Sequence, residues 1–408
     1  MIQNRYDLIL VGGGMVGLAM AAALAPSGLS MLVVEKQPLD QQLPASLLQT
    51  DIIKPQDFAL RVSAISPANR LFLQNLGAWQ HLAPNRMASY QQMRVWDGDG
   101  QGSIHFSAAE LAQADLGVII ENHLLQAALL KQINSFGNVT FCFSHSVESL
   151  DQQTDAVSLD LTDTDGNSQS ISAQLLIAAD GAHSKIRQLL GISHSEMDYQ
   201  QTAFVANVNT QLPHQDTAWQ RFTAFGPVAF LPLPQANLCS VVWSLDSDKA
   251  EQVTVLKPID FAQQLQAAFE SRLGDVELVS DFAGFALVKR HAKDYLSHRV
   301  ALVGDAAHTI HPLAGQGVNI GFQDVQQLSQ LILQLQYEKR DWGLQANLRP
   351  FERARKTENL IMQNAMSGFK NLFASDNMLL TMARNLGMNL LDNNQFIKNE
   401  VIKKAIGL

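Results

Sequence analysis

The sequence predicts an α/β fold, and three segments carry that prediction. Each is a short run of apolar and β-branched residues that breaks at a glycine and continues as a helical pattern: Tyr6–Val11 into Gly12, Leu175–Ala179 into Asp180-Gly181, and Val300–Val303 into Gly304-Asp305. Strand, tight turn and helix in that order is the unit of an open parallel sheet, whose ligands sit beyond the carboxyl ends of the strands.

The first unit turns through Gly12-Gly13-Gly14-Met15-Val16-Gly17, a G-x-G-x-x-G, and a second β run, Ser30–Val34, ends at Glu35. Strand, glycine turn, helix, strand and acid together form the dinucleotide fingerprint in its required context. Gly12 permits the tight turn, Gly14 lets the backbone approach a pyrophosphate, and Gly17 lets helix and strand pack closely. Glu35 is placed to bond the ribose hydroxyls of an adenosine. The fingerprint alone does not separate FAD from NAD. Leu8–Ala25 is nearly free of polar groups, but its glycines and the missing basic flank argue against a signal peptide or a transmembrane span.

The third unit, Gly304–Asp324, reads GDAAHTIHPLAGQGVNIGFQD. A carboxylate at a strand end followed by a glycine-lined helix start is a device for binding polyols and polar rings. Asp305 can accept hydrogen bonds from ribityl hydroxyls. Backbone N–H groups around Gly315-Gln316-Gly317-Val318-Asn319 can face the electron-rich edge of a flavin. His308 and His311 are three apart without a third ligand nearby, so no metal is expected. His308 reads as a structural histidine and His311 as a polar neighbour of the ring. In the second unit, Ser184 and Arg187 share one helical face, placed to hold Asp180 or to meet cofactor and reductant.

Bulk properties bound the answer. A chain of 408 residues accommodates two or three domains, and 47% hydrophobic with 16% charged residues makes it globular. A formal charge of −9 disfavours nucleic acid as a partner. Cys142 and Cys239 are too few for a disulfide framework and lack metal-ligand spacing, so both read as reduced core thiols in a cytoplasmic protein. Pro38–Asp57, rich in glutamine, reads as a long loop.

GxGxxG at Gly12, DGxxSxxR at Asp180 and GDAAH at Gly304, in this order, resemble the class A flavoprotein monooxygenases. Within that class the chain is similar to the ubiquinone-biosynthesis hydroxylases. That narrower resemblance rests on Arg61-Val62-Ser63-Ala64-Ile65, Leu116–Asn122 (LGVIIEN), Ala229–Leu233 (AFLPL), Cys239–Ser244 (CSVVWS) and His308–Asn319 (HTIHPLAGQGVN). It runs from about Tyr6 to Leu408. It implies a Rossmann-like FAD domain of the para-hydroxybenzoate hydroxylase type, an inserted antiparallel-sheet substrate domain and a helical C-terminal region. The expected division is 1–75, 95–190 and 285–345 for the FAD domain, 76–94 and 191–284 for the substrate domain, and 346–408 for the helical region.

Residue by residue, the resemblance implies that Gly12, Gly14, Gly17 and Glu35 bind the ADP half of FAD. Arg61 would touch the cofactor near its phosphates and ring. Asn122 would support the pyrophosphate–ribityl region, where most of the wider class carry Arg or Gln. Asp180 belongs to the same site, Asp305 would bind the ribityl chain, and Pro312, Gly315, Gln316, Gly317, Val318 and Asn319 would line the isoalloxazine. Phe285-Ala286-Leu287 stands where relatives often read Phe-Pro-Leu, and Ala178-Ala179-Asp180-Gly181 where they read Gly-Ala-Asp-Gly.

The implied activity is an NAD(P)H- and O2-dependent monooxygenation through a flavin C4a-hydroperoxide, hydroxylating a polyprenylated phenol at C5. The alternatives are C6 or C1 of the same pathway, another aromatic substrate, reduction of a prenyl chain, a non-catalytic FAD-holding scaffold, or a nicotinamide dehydrogenase. No second GxGxxG appears, so NAD(P)H is expected to visit transiently. No protein general base is assigned.

Between Asp198 and Gly284, alternating runs at Thr202–Val208, Ala229–Leu233 and Leu238–Leu245 read as antiparallel strands, the natural substrate platform. Trp219, Phe222, Phe225 and Phe230 are aromatic candidates for the ring, with core packing as the default. Beyond Leu348 the pattern is helical, with Met362, Met366, Phe369, Phe373, Met378, Leu379, Met382, Leu386, Leu390 and Leu391 forming a stripe. It reads as core-facing, or else as a surface for lipid or for a biosynthetic complex. In the lipid reading Lys398, Lys403 and Lys404 would add attraction to the inner face of an anionic membrane.

Overall fold

The computed structural model describes residues 3–39, 53–98, 100–310, 317–373 and 378–406. Pro312, Gly315, Gln316 and His311 lie outside them, as does most of the expected loop, of which Pro55–Asp57 forms a 3-10 turn.

The first sheet is built on five parallel strands in the order Val300–Leu302, Ser168–Ala178, Arg5–Val11, Met31–Glu35 and Val139–Phe143. These strands are buried on both sides and read as continuous apolar runs rather than alternating ones. Leu8, Ile9, Leu10, Leu175, Leu176, Ile177 and Val300–Leu302 are all fully buried in one cluster. The antiparallel strands His145–Gln152 and Val157–Asp163 extend the sheet from the long strand Ser168–Ala178.

The second, nine-stranded sheet runs His308–Thr309, Ala283–Ala292, His194–Thr210, Leu238–Asp246, Gly226–Pro232, Thr217–Thr223, Gln92–Asp97 and Ser103–Ser107, with Val276–Leu278 also paired to His194–Thr210. Alternation sets its two faces. Phe204, Ala206, Val208, Cys239, Val241 and Trp243 pack under the helices Ser247–Thr254 and Pro258–Ala268. Leu231, Leu233 and Leu238 on the opposite face pack with Phe58, Ala64 and Ile119, which brings that face against the small sheet Val62–Ile65, Gly117–Glu121 and Met87–Tyr90. The pair Thr217–Thr223 with Gln92–Asp97 is parallel, unlike its neighbours. Strand pairing places 92–107 in this sheet, so the expected boundary at 95 falls inside one of its strands.

The C-terminal region is three helices, Gln345–Phe373, Met378–Asn393 and Gln395–Ile406. The middle one covers the edge strand. Asn385, Asn389 and Asp392 accept hydrogen bonds from the backbone N–H groups of Gly102, Ser103 and His105 at 2.5, 3.3 and 3.1 Å. Arg384 forks onto Asp97 at 2.7 and 2.8 Å, both buried. Because the polar side chains face inward, the expected core stripe divides. Phe373 is buried, whereas Leu386 and Leu390 are exposed, together with Phe396, Ile397 and Val401. Phe369, Met378, Leu379 and Met382 lie outside the described side chains. Lys398 does not face a membrane. It is buried and paired with Glu110 at 3.0 Å and Asp392 at 3.4 Å, because it satisfies acids at the same sheet edge. Lys403 is exposed and pairs with Glu400, and Lys404 is outside the described side chains. Among the described residues, no helix is long and apolar enough to cross a membrane.

Arg384→Met leaves Asp97 buried without its cation and is expected to destabilise the fold by about 3–5 kcal/mol. Urea denaturation measures it, and the further change Asp97→Asn is expected to recover part of the loss.

Candidate functional site

The three glycine turns meet because their strands are neighbours. The long strand ending at Ala178 pairs with Arg5–Val11 on one side and Val300–Leu302 on the other. Gly12 has φ +112°, and a Cβ there would lie 2.3 Å from the Ala179 carbonyl oxygen, so only glycine lets the first turn rest on the second. A Cβ on Gly17 would lie 2.0 Å from the Gly12 carbonyl oxygen, which fixes how closely the helix Met15–Leu24 leaves its strand. Val16 on that helix packs against Gly304 and Gly321, where added Cβ atoms would come within 3.1 and 2.6 Å of it. First and third units are therefore in direct contact.

Around this junction the polar groups are organised. The helix Met15–Leu24 has no side-chain cap at Gly14, and a Cβ on Gly14 would meet nothing within 4 Å. Its first turn thus takes no side-chain cap, the arrangement that takes an anion. Glu35 Oε2 accepts the Gly13 N–H at 2.6 Å and Oε1 accepts the Gln37 N–H at 2.8 Å. Each oxygen keeps a second lone pair for a hydroxyl donor.

Asp180 Oδ2 accepts the Ile186 N–H at 3.1 Å, while its buried Oδ1 has no partner among the described residues. Burial pushes this carboxyl up, against the hydrogen bonds from Ser184 and Ile186. Ser184 caps the short helix by accepting the Arg187 N–H at 3.0 Å. Arg187 does more than the sequence reading assigned to it. Its guanidinium donates to the Ala182 carbonyl at 2.8 Å and to the Ala306 carbonyl at 2.7 Å, tying the second turn to the residue after Asp305.

Asp305 is exposed in the turn that follows the strand Val300–Leu302. Desolvation by the surrounding protein raises its carboxyl above the usual range, opposed by the charges of His308, Arg61 and Arg290. Arg61 is exposed and lies over the Phe285 ring, 5.5 Å from its centroid. Its carbonyl accepts the Asn122 N–H at 3.0 Å, and Asn122 Oδ1 accepts the Ser63 hydroxyl at 2.7 Å. Gly317 and Val318 begin the helix Gly317–Tyr337 and are half-buried. Asn319 is buried and its side chain is committed elsewhere. It donates to the Ala64 carbonyl at 2.7 Å and accepts from the Ser66 N–H and the Asn69 amide at 3.1 and 2.9 Å.

Of the aromatic candidates, Phe230 is core, stacked on Phe269 with centroids 3.9 Å apart. Trp219 donates to the His214 carbonyl, Phe222 stacks on Phe373, and Phe225 is exposed beside Lys249. None of the four stands with Arg61 as Phe285 does.

Sequence reasoning missed the support beneath Asp305. Asp324 Oδ2 accepts the Gly304 N–H at 2.9 Å and contacts His308 Nε2 at 2.5 Å, while Oδ1 accepts from Arg355 at 2.6 Å. All three side chains are buried. Burial alone would raise the Asp324 carboxyl, but His308 and Arg355 hold it below the usual range. An acid amid the apolar run Ile320–Val325 was the available signal. A second missed pair, Arg86 and Glu121, is buried and bidentate at 2.7 Å, and Glu121 also holds the Ala59 N–H at 2.6 Å, just before Arg61.

The residues present fit FAD. An uncapped helix start with room beside Gly14, an acid at the second strand end, and the exposed carboxylate of Asp305 all follow the carboxyl ends of neighbouring strands.

Comparison with known proteins agrees. The FAD binding domain family matches residues 5–357. The 3-demethoxyubiquinol 3-hydroxylase of Escherichia coli is 35% identical over the full length of both chains. The mitochondrial ubiquinone biosynthesis monooxygenase COQ6 of Danio rerio is 32% identical, with 99% of this chain and 90% of that protein covered. The p-nitrophenol 4-monooxygenase of Pseudomonas putida shares the fold, with TM-score 0.79, 19% identity and 98% of each chain covered. Fold and site define an FAD-dependent monooxygenase. Within that class the chain belongs to the ubiquinone-biosynthesis hydroxylase family.

Asp305→Ala is expected to raise the FAD dissociation constant by roughly ten- to a hundredfold, the weight of one or two hydrogen bonds to a charged acceptor. Far-UV circular dichroism should stay unchanged, and fluorescence titration with FAD reads the affinity. A second expectation concerns pH. Burial, followed by the His308 charge, lowers the His291 pKa to about 4. The unfolded chain then binds more protons than the folded one between about pH 6.5 and 4, so stability falls as pH falls through that window. Thermal melts should show a shallower fall for His291→Gln than for the natural sequence.

Proposed function

We propose that this protein hydroxylates the ring of a polyprenylated phenol on the route to ubiquinone, using FAD, NAD(P)H and O2. One observation carries the reading: the three turns converge with Asp305 exposed beside them, in a chain that matches a 3-demethoxyubiquinol 3-hydroxylase from end to end. Bound FAD supplies the chemistry by which reducing equivalents activate O2 and one oxygen atom reaches the ring.

The chain's own residues bind and orient. The helix start beyond Gly14 would hold the pyrophosphate, Glu35 the adenosine ribose, and Asp305 the ribityl hydroxyls. Gly317 and Val318 begin the helix whose N-terminus would favour negative charge on a bound isoalloxazine. Asn319 acts through the backbone, since its side chain binds the segment 64–69. NAD(P)H visits without a domain of its own.

For the ring position we propose C5. The name of the Escherichia coli relative favours a second reading, hydroxylation of a demethoxyubiquinol. Exposed Leu386, Leu390, Phe396, Ile397 and Val401 support contact with a lipid surface that holds the substrate, in a protein working at the inner face of the membrane or with a carrier in a biosynthetic complex. Since Lys398 is buried, such contact rests on apolar area rather than on charge.

Two measurements test this. NAD(P)H oxidation by the purified holoprotein should accelerate when a prenylated phenol is added; no response would leave only an FAD-holding scaffold. Quinone profiling of a deletion strain should show a single accumulated intermediate, whose missing hydroxyl separates C5 from the demethoxyubiquinol step.

A further inference from the structure

The long helix Gln345–Phe373 carries Arg355, Asn359, Gln363 and Ser367 at a spacing of four, on one stripe. Arg355, Asn359 and Gln363 are no more than 1% exposed, and Ser367 is half-buried. A buried polar stripe is unfavourable unless its groups are matched. Here they are. Arg355 reaches Asp324 and, at 2.8 Å, Asn359 Oδ1, while Asn359 Nδ2 donates to the Tyr295 hydroxyl at 3.3 Å. Gln363 Nε2 donates to the Arg290 carbonyl at 2.8 Å and the Thr309 carbonyl at 3.0 Å. Gln363 Oε1 meets His291 Nδ1 at 3.1 Å, with the ring nitrogen as donor because an amide oxygen only accepts. Ser367 shares a hydrogen bond with the Tyr199 hydroxyl at 3.0 Å.

These partners fall in spatial order. Through Asp324 the stripe holds the Gly304–Asp305 turn. Through Gln363 it clamps the pairing of Ala283–Ala292 with His308–Thr309, where Arg290 pairs with Thr309 and Thr309 follows Asp305 by four residues. Through Ser367 it reaches the strand His194–Thr210 of the second sheet. We propose that this stripe fixes the cofactor turn against the substrate sheet, and that Gln363 is the positioning residue at its centre. Gln363 is fully buried and bonded to protein groups, so it acts through them. It matters because removing it orphans two carbonyls and one imidazole nitrogen at the strand pair beside Asp305.

The inference rests on FAD binding and not on which ring is hydroxylated, so its test uses no substrate. Full-length Gln363→Met, which keeps the volume without polar atoms, is compared with the natural sequence by FAD fluorescence titration. Visible circular dichroism of the bound flavin and melting temperature with and without FAD are measured alongside. The expected result is an FAD dissociation constant raised about tenfold, a changed flavin band, and a smaller rise in melting temperature on adding FAD. A glutamine with a merely structural role would lower both melting temperatures equally and leave the flavin band alone, and that result overturns the proposal. Should Gln363→Met fail to fold, Gln363→Glu decides by the same readings, since it keeps the acceptor for His291 and loses the two N–H donors. If the natural sequence itself takes up no FAD, the proposed function fails first.

Discussion

Three parallel strands end side by side, and the glycine contacts between their turns set the rest of the site. Arg5–Val11, Ser168–Ala178 and Val300–Leu302 come from widely separated parts of the chain, yet Gly12 rests on the Ala179 carbonyl and Val16 lies against Gly304 and Gly321. At such distances a single methyl group would force the turns apart. The helix start beyond Gly14, the carboxylate of Asp180 and the carboxylate of Asp305 are consequently gathered at one sheet edge, where a parallel α/β sheet binds its ligands.

Buried charge secures that junction from below and from the side. Arg187 bridges from the second turn to Ala306, and Asp324 holds Gly304 from within the following helix while Arg355 and His308 balance its charge. Such groups are costly to bury singly and stable when fully matched. They hold backbone positions, which is what binding a cofactor with many hydroxyls and phosphates requires. The C-terminal helices inherit an unusual orientation from the same logic. Asn385, Asn389 and Asp392 cover the backbone of an edge strand that would otherwise be open to mispairing, which turns Leu386 and Leu390 outward.

Much of this was legible in the sequence because its determinants are local. A strand run, a glycine turn and an acid at fixed spacing identify each unit without knowledge of its neighbours, and the alternating runs of the second sheet follow from a period of two. What stayed hidden was set by pairing across the chain. Nothing near Gln92 announces that it will lie parallel to Thr217, nor near Asn319 that its side chain will serve Ala64 and Ser66. Lys398 looked like a surface cation until the sheet edge supplied Glu110 and Asp392. Leu386 and Leu390 sit at helical spacing that cannot tell core from exterior once polar side chains have the inward role. Phe285 could be placed near the pocket only from the relatives' pattern, and its partner Arg61 is far away in sequence.

The central claim is that the three turns form one site for one FAD. Calorimetric titration of the stripped, full-length protein tests it directly. The expected result is a single class of site with one FAD per chain, and no comparable site for NAD. A protein that takes up no FAD, or that binds NAD tightly in its place, would contradict it.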